Sequence, residues 1–389
     1  MKPFTVVPVA ALLVLLTGCT AGGDSFGSEA SGARASSART SASGARIQCV
    51  MPAPTVIRPL VTGGTLPEQI PAAPPAALAV MVGHGAYDST SYSIQLVDAN
   101  AQIVASIQAH THSPITPSCG ADVAGLPTAP LVSTSAGRVY YLDGDTDVRY
   151  LAADGSTGVA ATLPGSSQSF AMFAVSPDDA RIAVSVFDFR WRPVLARLYV
   201  QNLDGSRQVD LSDESLGYRW PAGWHDGKLL VGSGLTSQLQ LLDPNTGHML
   251  AGIGGSACRP LASLPTPAGF ACTTPELAVG RIDWSGNVTL FATGDAFTGG
   301  ASLSPDGTQL LAAGTGAVLK LIDSPGTGSA TTSIGSTYGY PGDGGWLDDF
   351  HVVYRAAGDP AQAVIDLRSQ AVVPLPANSL LEARLPGGY

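Results

Sequence analysis

Along most of this chain the apolar residues come in short runs, broken by clusters of Gly, Pro, Asp and Ser. The clearest case is Ala301 to Gly326, ASLSPDGTQLLAAGTGAVLKLIDSPG. Ser304-Pro305-Asp306-Gly307 reads as a tight turn: Pro presets φ, Asp can bond its own backbone, and Gly supplies the permissive φ that closes a hairpin. The pattern predicts strands at Gln309 to Ala313 and Ala317 to Asp323, split by Gly314-Thr315-Gly316. No window of ten or more residues beyond the first 18 carries a helical period. One such hairpin unit cannot bury its apolar faces alone and must stack on copies of itself.

Degraded copies of the unit run from Leu78 to Ala377, a span of 300 residues. Seven units of about 43 residues fill it, the length of a four-stranded propeller blade. They lie at roughly 78–110, 129–164, 169–212, 218–257, 260–297, 301–326 and 338–377. The expected fold is therefore all-β, a β-propeller of seven four-stranded blades occupying residues 78–389, with a sandwich or a different blade count as the alternative. The first unit lacks an innermost strand, so ring closure is expected from Ser379 to Leu385 or from Thr55 to Val61.

Upstream, residues 1–18 hold one charge, Lys2, and an apolar run from Val6 to Leu16. That run is too short to span a bilayer, which takes about 20 residues, and reads as a signal-peptide core. It ends in Leu16-Thr17-Gly18-Cys19, which resembles the lipobox of bacterial lipoproteins. The resemblance implies that Cys19 becomes the first mature residue and carries acyl chains, palmitate among them, anchoring the protein to the outer side of a bacterial cell membrane. Two or more chains anchor stably where one does not. Residues 19–46 are almost wholly Gly, Ala, Ser and Thr, with too little apolar surface to offset ordering, and read as a tether reaching roughly 30 Å. Residues 47–77 are Pro-rich and read as an ordered lead-in.

The turn Ser176-Pro177-Asp178 and its copy Ser304-Pro305-Asp306-Gly307, each before an apolar strand, resemble the WD40-like repeats of TolB-type bacterial β-propellers. In such blades the turn joins the innermost strand to the second. By that resemblance, loops between second and third strands share one face with the connections between blades. Mapped so, one face gathers His84, Tyr87 and Tyr92, the connection Thr111 to Pro127, Asp143, Asp145 and Asp147, Phe189, Arg190, Trp191 and Arg192, Tyr218, Arg219 and Trp220, and Tyr338 and Tyr340. Aromatic and Arg side chains are the types that carry interface energy. Aromatics are 7% of this chain, so their concentration makes this face the expected binding surface.

Composition narrows the partners. With 30 Asp and Glu against 20 Lys and Arg the net charge is −10, which disfavours nucleic acid. A protein, glycan or small ligand remains, in a binding or scaffolding role. The alternative is a hydrolase or lactonase with a site at the channel mouth. Gly-x-Ser-x-Gly occurs only at Gly23 to Gly27, inside the Gly/Ser-rich stretch rather than at a strand-to-helix elbow, no His-Glu-x-x-His motif occurs, and no catalytic residue or cofactor is expected.

Asp143-Gly-Asp-Thr-Asp147 has the alternating carboxylates of a calcium loop, but Val148 stands where an EF-hand needs Gly, and a solvated acidic turn is the simpler expectation. His110-Thr-His112 could offer two imidazoles to a metal, with no third ligand to name. Setting Cys19 aside leaves four cysteines, with Cys258–Cys272 and Cys49–Cys119 the favoured of three possible pairings.

Overall fold

The computed structural model describes residues 62–64, 66, 70–74, 76–83, 89–117, 132–190, 194–212, 218–233, 236–261, 264–292, 297–314, 318–323, 331–336, 345–355, 362–376 and 379–387. The described strands form seven antiparallel sheets, a seven-bladed propeller. Blade 1 is built from Ser379–Leu385, Leu78–Gly83, Ser91–Val97 and Ile103–His110. Blade 2 comprises Val132–Thr134, Arg138–Asp143, Asp147–Ala152 and Thr157–Thr162, and blade 3 Ser169–Val175, Arg181–Asp188, Leu195–Asn202 and Val209–Asp210. In blade 4 the strands are Arg219–His225, Lys228–Ser233, Thr236–Leu242 and Met249–Ile253, and in blade 5 Arg259–Pro260, Phe270–Thr273, Val279–Ile282 and Val288–Ala292. Blade 6 runs Phe297–Leu303, Gln309–Gly314, Val318–Asp323 and Thr331–Ser336, and blade 7 Gly345–Trp346, His351–Arg355, Gln362–Asp366 and Val372–Pro374. Within each blade we call these strands a to d, from the innermost outward.

The ring closes through the C-terminal strand. Ser379–Leu385 pairs with Leu78–Gly83, Leu78 opposite Leu385 and Gly83 opposite Ser379, and so supplies strand a of blade 1. This is the first of the two closures the sequence allowed. The strand expected at Thr55 to Val61 lies outside the described residues. The lead-in does add a fifth strand to blade 2, where Thr62 and Gly63 pair outside Thr162 and Ala161.

The apolar clusters sit between blades rather than inside them. Tyr140, Leu142 and Val148 of blade 2 pack with Phe170, Phe173 and Ile182 of blade 3. Six further clusters join the remaining neighbouring pairs around the ring. Middle strands are therefore covered on both faces and read as unbroken apolar runs, such as Leu78–Gly83, buried at all but its last residue. Outermost strands are covered on one face only, and Ile103–His110 alternates accordingly.

Polar ties cross the same seams. Trp224 Nε1 donates to the Ala174 carbonyl of the preceding blade at 3.1 Å, and Trp346 Nε1 to that of Ser302 at 3.1 Å. The repeated turn explains its own sequence. In blade 6, Ser304 Oγ accepts from Gln309 N at 2.9 Å and donates to Asp306 Oδ1 at 2.6 Å, while Gly307 sits at φ 73°. In blade 3, Ser176 and Asp178 repeat these bonds, but Asp179 takes the glycine position at φ 56°. Its carboxylate is fully engaged, accepting from Tyr140 Oη at 2.7 Å and from Arg138 Nη1 of blade 2.

The Cys258–Cys272 disulfide is present, with Cα atoms 5.5 Å apart, in blade 5. Cys49 and Cys119 lie outside the described residues, as does Cys19.

Candidate functional site

Strand connectivity sorts the loops as expected. The a–b and c–d turns form one end of the ring, and the b–c loops and blade-to-blade connections form the other. The a–b end is occupied by the chain's own irregular segments. Around the blade 2 turn, the Pro71 carbonyl lies where a Cβ on Gly137 would stand, and Gly387 N donates to the Ser135 carbonyl at 2.6 Å. From blade 5, the a–b loop sends the Pro265 carbonyl to Arg384 Nη2 of blade 1 at 2.8 Å.

The b–c end is organised differently over blades 1 to 4. Leaving blade 1, the chain passes over the Asp143–Asp147 turn of blade 2. Asp143 Oδ1 accepts from His110 N at 2.8 Å and lies 2.8 Å from His110 Nδ1, and Gly144 N donates to the His110 carbonyl at 2.9 Å. Two residues on, Asp145 Oδ1 accepts from Ser113 N at 2.6 Å and lies 3.6 Å from His112 Nδ1. Two motifs that looked separate in the sequence thus meet with matching i, i+2 spacing. Asp147 turns the other way, toward the hydroxyls of Thr146 and Thr162 at 3.2 and 3.5 Å.

His112 is buried, its ring edge-on to Phe170 at 5.3 Å, and its Nδ1 donates to the Ser113 carbonyl at 2.6 Å. Ile115 then enters the blade 2–3 cluster. The acidic turn therefore seats this strap. Among the described residues no group of three or more His, Cys, Asp or Glu is placed to hold a metal ion.

The strap leads to the aromatic sector. Thr116 N donates to the Ser167 carbonyl at 2.6 Å, and Phe189 N to that of the adjacent Gln168 at 2.9 Å. Phe189, Tyr218 and Trp220, all half-buried, pack against the rim of the blade 2–3 cluster. Tyr218 lies 6.3 Å from the ring of Phe187, and burial raises its hydroxyl above the usual tyrosine value, keeping it a neutral donor. Trp220 needs Gly232 opposite it, because a Cβ there would stand 2.4 Å from the indole.

Arg190 is exposed and oriented. Its Nε and Nη2 donate to the two oxygens of Asp188 at 2.8 and 2.6 Å, and Asp188 also accepts from Arg190 N at 3.0 Å. The Asp188 side chain is 1% exposed and that of Arg190 46%. A buried carboxylate thus fixes a surface guanidinium bidentately, and the hydrogen bonds Arg190 donates to Asp188 raise its pKa further.

Of the other sequence candidates, Arg219 is buried. It donates to Gln240 Oε1 at 3.1 Å and serves the interior of blade 4. Tyr92 is buried too, donating to the Leu142 carbonyl across the blade 1–2 seam. His84, Tyr87, Trp191, Arg192, Tyr338 and Tyr340 lie outside the described residues. Asp188 was missed, since a lone Asp at the end of an apolar strand carries no signal until its partner two residues later is seen to fold back. An arginine two residues after a strand-terminal aspartate was the cue available.

No family model matches the chain, and no curated protein matches it. Among solved structures, TolB from Acinetobacter baumannii is similar at 12% identity and TM-score 0.40, over 82% of this chain and 68% of that one. A complex of KlAtg21 with the coiled-coil of AgAtg16 is similar at 14% identity and TM-score 0.45, over 64% of this chain and 85% of that one. Neither likeness is strong enough to bear on function.

Proposed function

We propose that this chain is a lipid-anchored, extracytoplasmic β-propeller that binds a protein partner on its b–c face. The observation that carries the reading is Arg190, held at the surface by the buried Asp188, with Phe189, Tyr218 and Trp220 half-buried at the same end of blades 3 and 4. A pre-oriented guanidinium among rigid aromatics loses little side-chain entropy on docking, and such groups dominate protein interfaces. Support also comes from the opposite end, where the lead-in, the C-terminal residues and the blade 5 loop already lie over the turns. The anchoring part rests on the Leu16-Thr17-Gly18-Cys19 sequence and the Gly/Ser-rich stretch that follows.

The docking part is tested by capture from cell envelopes with purified residues 46–389 and with Arg190→Gln and Phe189→Ala, whose folding is checked by circular dichroism. The reading expects a defined partner whose recovery falls at least about tenfold in both variants, the size of one lost interface anchor. Unchanged recovery overturns it. The anchoring part is tested by palmitate labelling in cells, which Cys19→Ser should abolish.

A further inference from the structure

The a–b loop of blade 5 does not behave as a turn of its own blade. Its base is fixed there: Thr266 N donates to the Gly269 carbonyl at 2.9 Å, and Gly269 N back to that of Thr266 at 3.0 Å. Thr266 is wholly buried, and Trp284 Nε1 donates to its carbonyl at 3.0 Å. Trp284 in turn stacks on His225 of blade 4, centroids 3.9 Å apart and planes 6° from parallel. Ala268 passes blade 6, meeting the space a Cβ on Gly307 would need. The leading part of the loop goes further. Leu264 packs against the cluster between blades 7 and 1, and the Pro265 carbonyl accepts from Arg384 Nη2 at 2.8 Å. Arg384 belongs to Ser379–Leu385, the strand that closes the ring.

We propose that this segment is a spoke that latches the closure strand from inside, fastening blade 1 to blade 5 past blades 6 and 7. A closure strand is the natural opening point of a ring built from neighbour contacts. The spoke adds a contact from a distant blade with a charged hydrogen bond and a half-buried leucine. The disulfide sets its footing: Cys258 and Cys272 bracket residues 259–271, and both are buried. With the base cross-linked, loss of the tip contacts costs more of the loop's order than of the blade's, so the latch releases without unfolding blade 5.

Hydrogen exchange read peptide by peptide on intact, oxidised protein tests this. Leu264→Ala and Arg384→Gln are compared with wild type, Leu264→Ala being mild enough to keep the fold if the buried arginine cannot be replaced. The expected result is exchange at least about tenfold faster in Ser379–Leu385 and its partner Leu78–Gly83, the equivalent of one charged hydrogen bond, with Ser169–Val175 of blade 3 unchanged. In Cys258→Ala/Cys272→Ala the same two strands should loosen together with blade 5. Acceleration confined to blade 5, acceleration equal in all blades, or no change overturns the proposal.

Discussion

The two ends of this propeller use the same residue types for opposite purposes. At the a–b end, Asp side chains close turns on themselves. Asp204 accepts from Ser206 N at 2.8 Å, Asp283 from Asn287 N at 2.8 Å and Asp366 from Arg368 N at 2.8 Å, each within a few residues. At the b–c end, Asp143 and Asp145 reach across 33 and 32 residues to seat the strap, and Asp188 is spent on aiming an arginine outward. Bonds that close on their own turn leave it inert, whereas Asp143 and Asp145 hold irregular chain, and Asp188 a surface guanidinium, in a fixed shape that can be recognised. On the proposed reading, the a–b end belongs to the fold and the b–c end to contact.

Among the described residues the a–b end has two exceptions. Asp349 accepts from Asp306 N of blade 6 at 3.1 Å. The largest effect that would break the contrast is at the other, Asp179, whose partner Arg138 comes from blade 2. Both side chains are buried, at 3% and 1% exposed. Arg138→Ala leaves a buried carboxylate and should cost roughly 3–5 kcal/mol in urea denaturation. A loss under about 1 kcal/mol would mean Asp179 is held by Tyr140 alone. Gly307→Ala comes next. It forces a Cβ at φ 73° to within 2.5 Å of the Ala268 Cβ, and should cost at least about 1–2 kcal/mol from the backbone conformation. Ser304→Ala removes one acceptor and one donor from the same turn and should cost about 1 kcal/mol.

Acid should sharpen the contrast more gently. Asp366 is lowered to about 2, chiefly by the Arg368 amide and then the Ser369 hydroxyl. Asp204 is lowered by the Ser206 hydroxyl and amide, and Asp243 by the Asn245 amide and the Thr246 hydroxyl. At Asp306, burial pushes upward but the bonds from Ser304 and Thr308 prevail and the carboxyl is lowered. In each case the unfolded chain takes up the proton first. The stabilisation is thus fully present above about 4 and is lost as pH falls toward about 2. Asp349, raised by burial and then by Asp306, acts in the opposite sense and relaxes when protonated. Thermal midpoints should fall steadily across that window. A flat profile would show that these turns do not hold the blades.

Much of the ring was legible because middle strands are covered on both faces and must be apolar throughout. Outermost strands such as Thr157–Thr162, Met249–Ile253 and Thr331–Ser336 are less legible, for the complementary reason. As outermost strands they need apolar residues on one face only, and Met249 and Leu250 even stand exposed. Innermost strands as short as Val132–Thr134 and Arg259–Pro260 show no period at all. A clearer marker of the repeat was the Asp at the end of strand c: Asp98, Asp204, Asp243, Asp283, Asp323 and Asp366 each follow an apolar residue there. Of the candidate site, Phe189, Arg190, Tyr218 and Trp220 were legible from composition. Arg219 was read with them, but the alternation of its strand turns it inward, and a one-residue offset decides the face.

The account's central claim is that the b–c face, and not the a–b face, meets the partner. A photo-crosslinking amino acid placed at Arg190 in one strain and at Asp204 in another, with the full chain expressed in living cells, tests it most directly. The account predicts a discrete crosslinked species from position 190 and none from position 204. Crosslinks from 204 alone, or the same species from both, would contradict it.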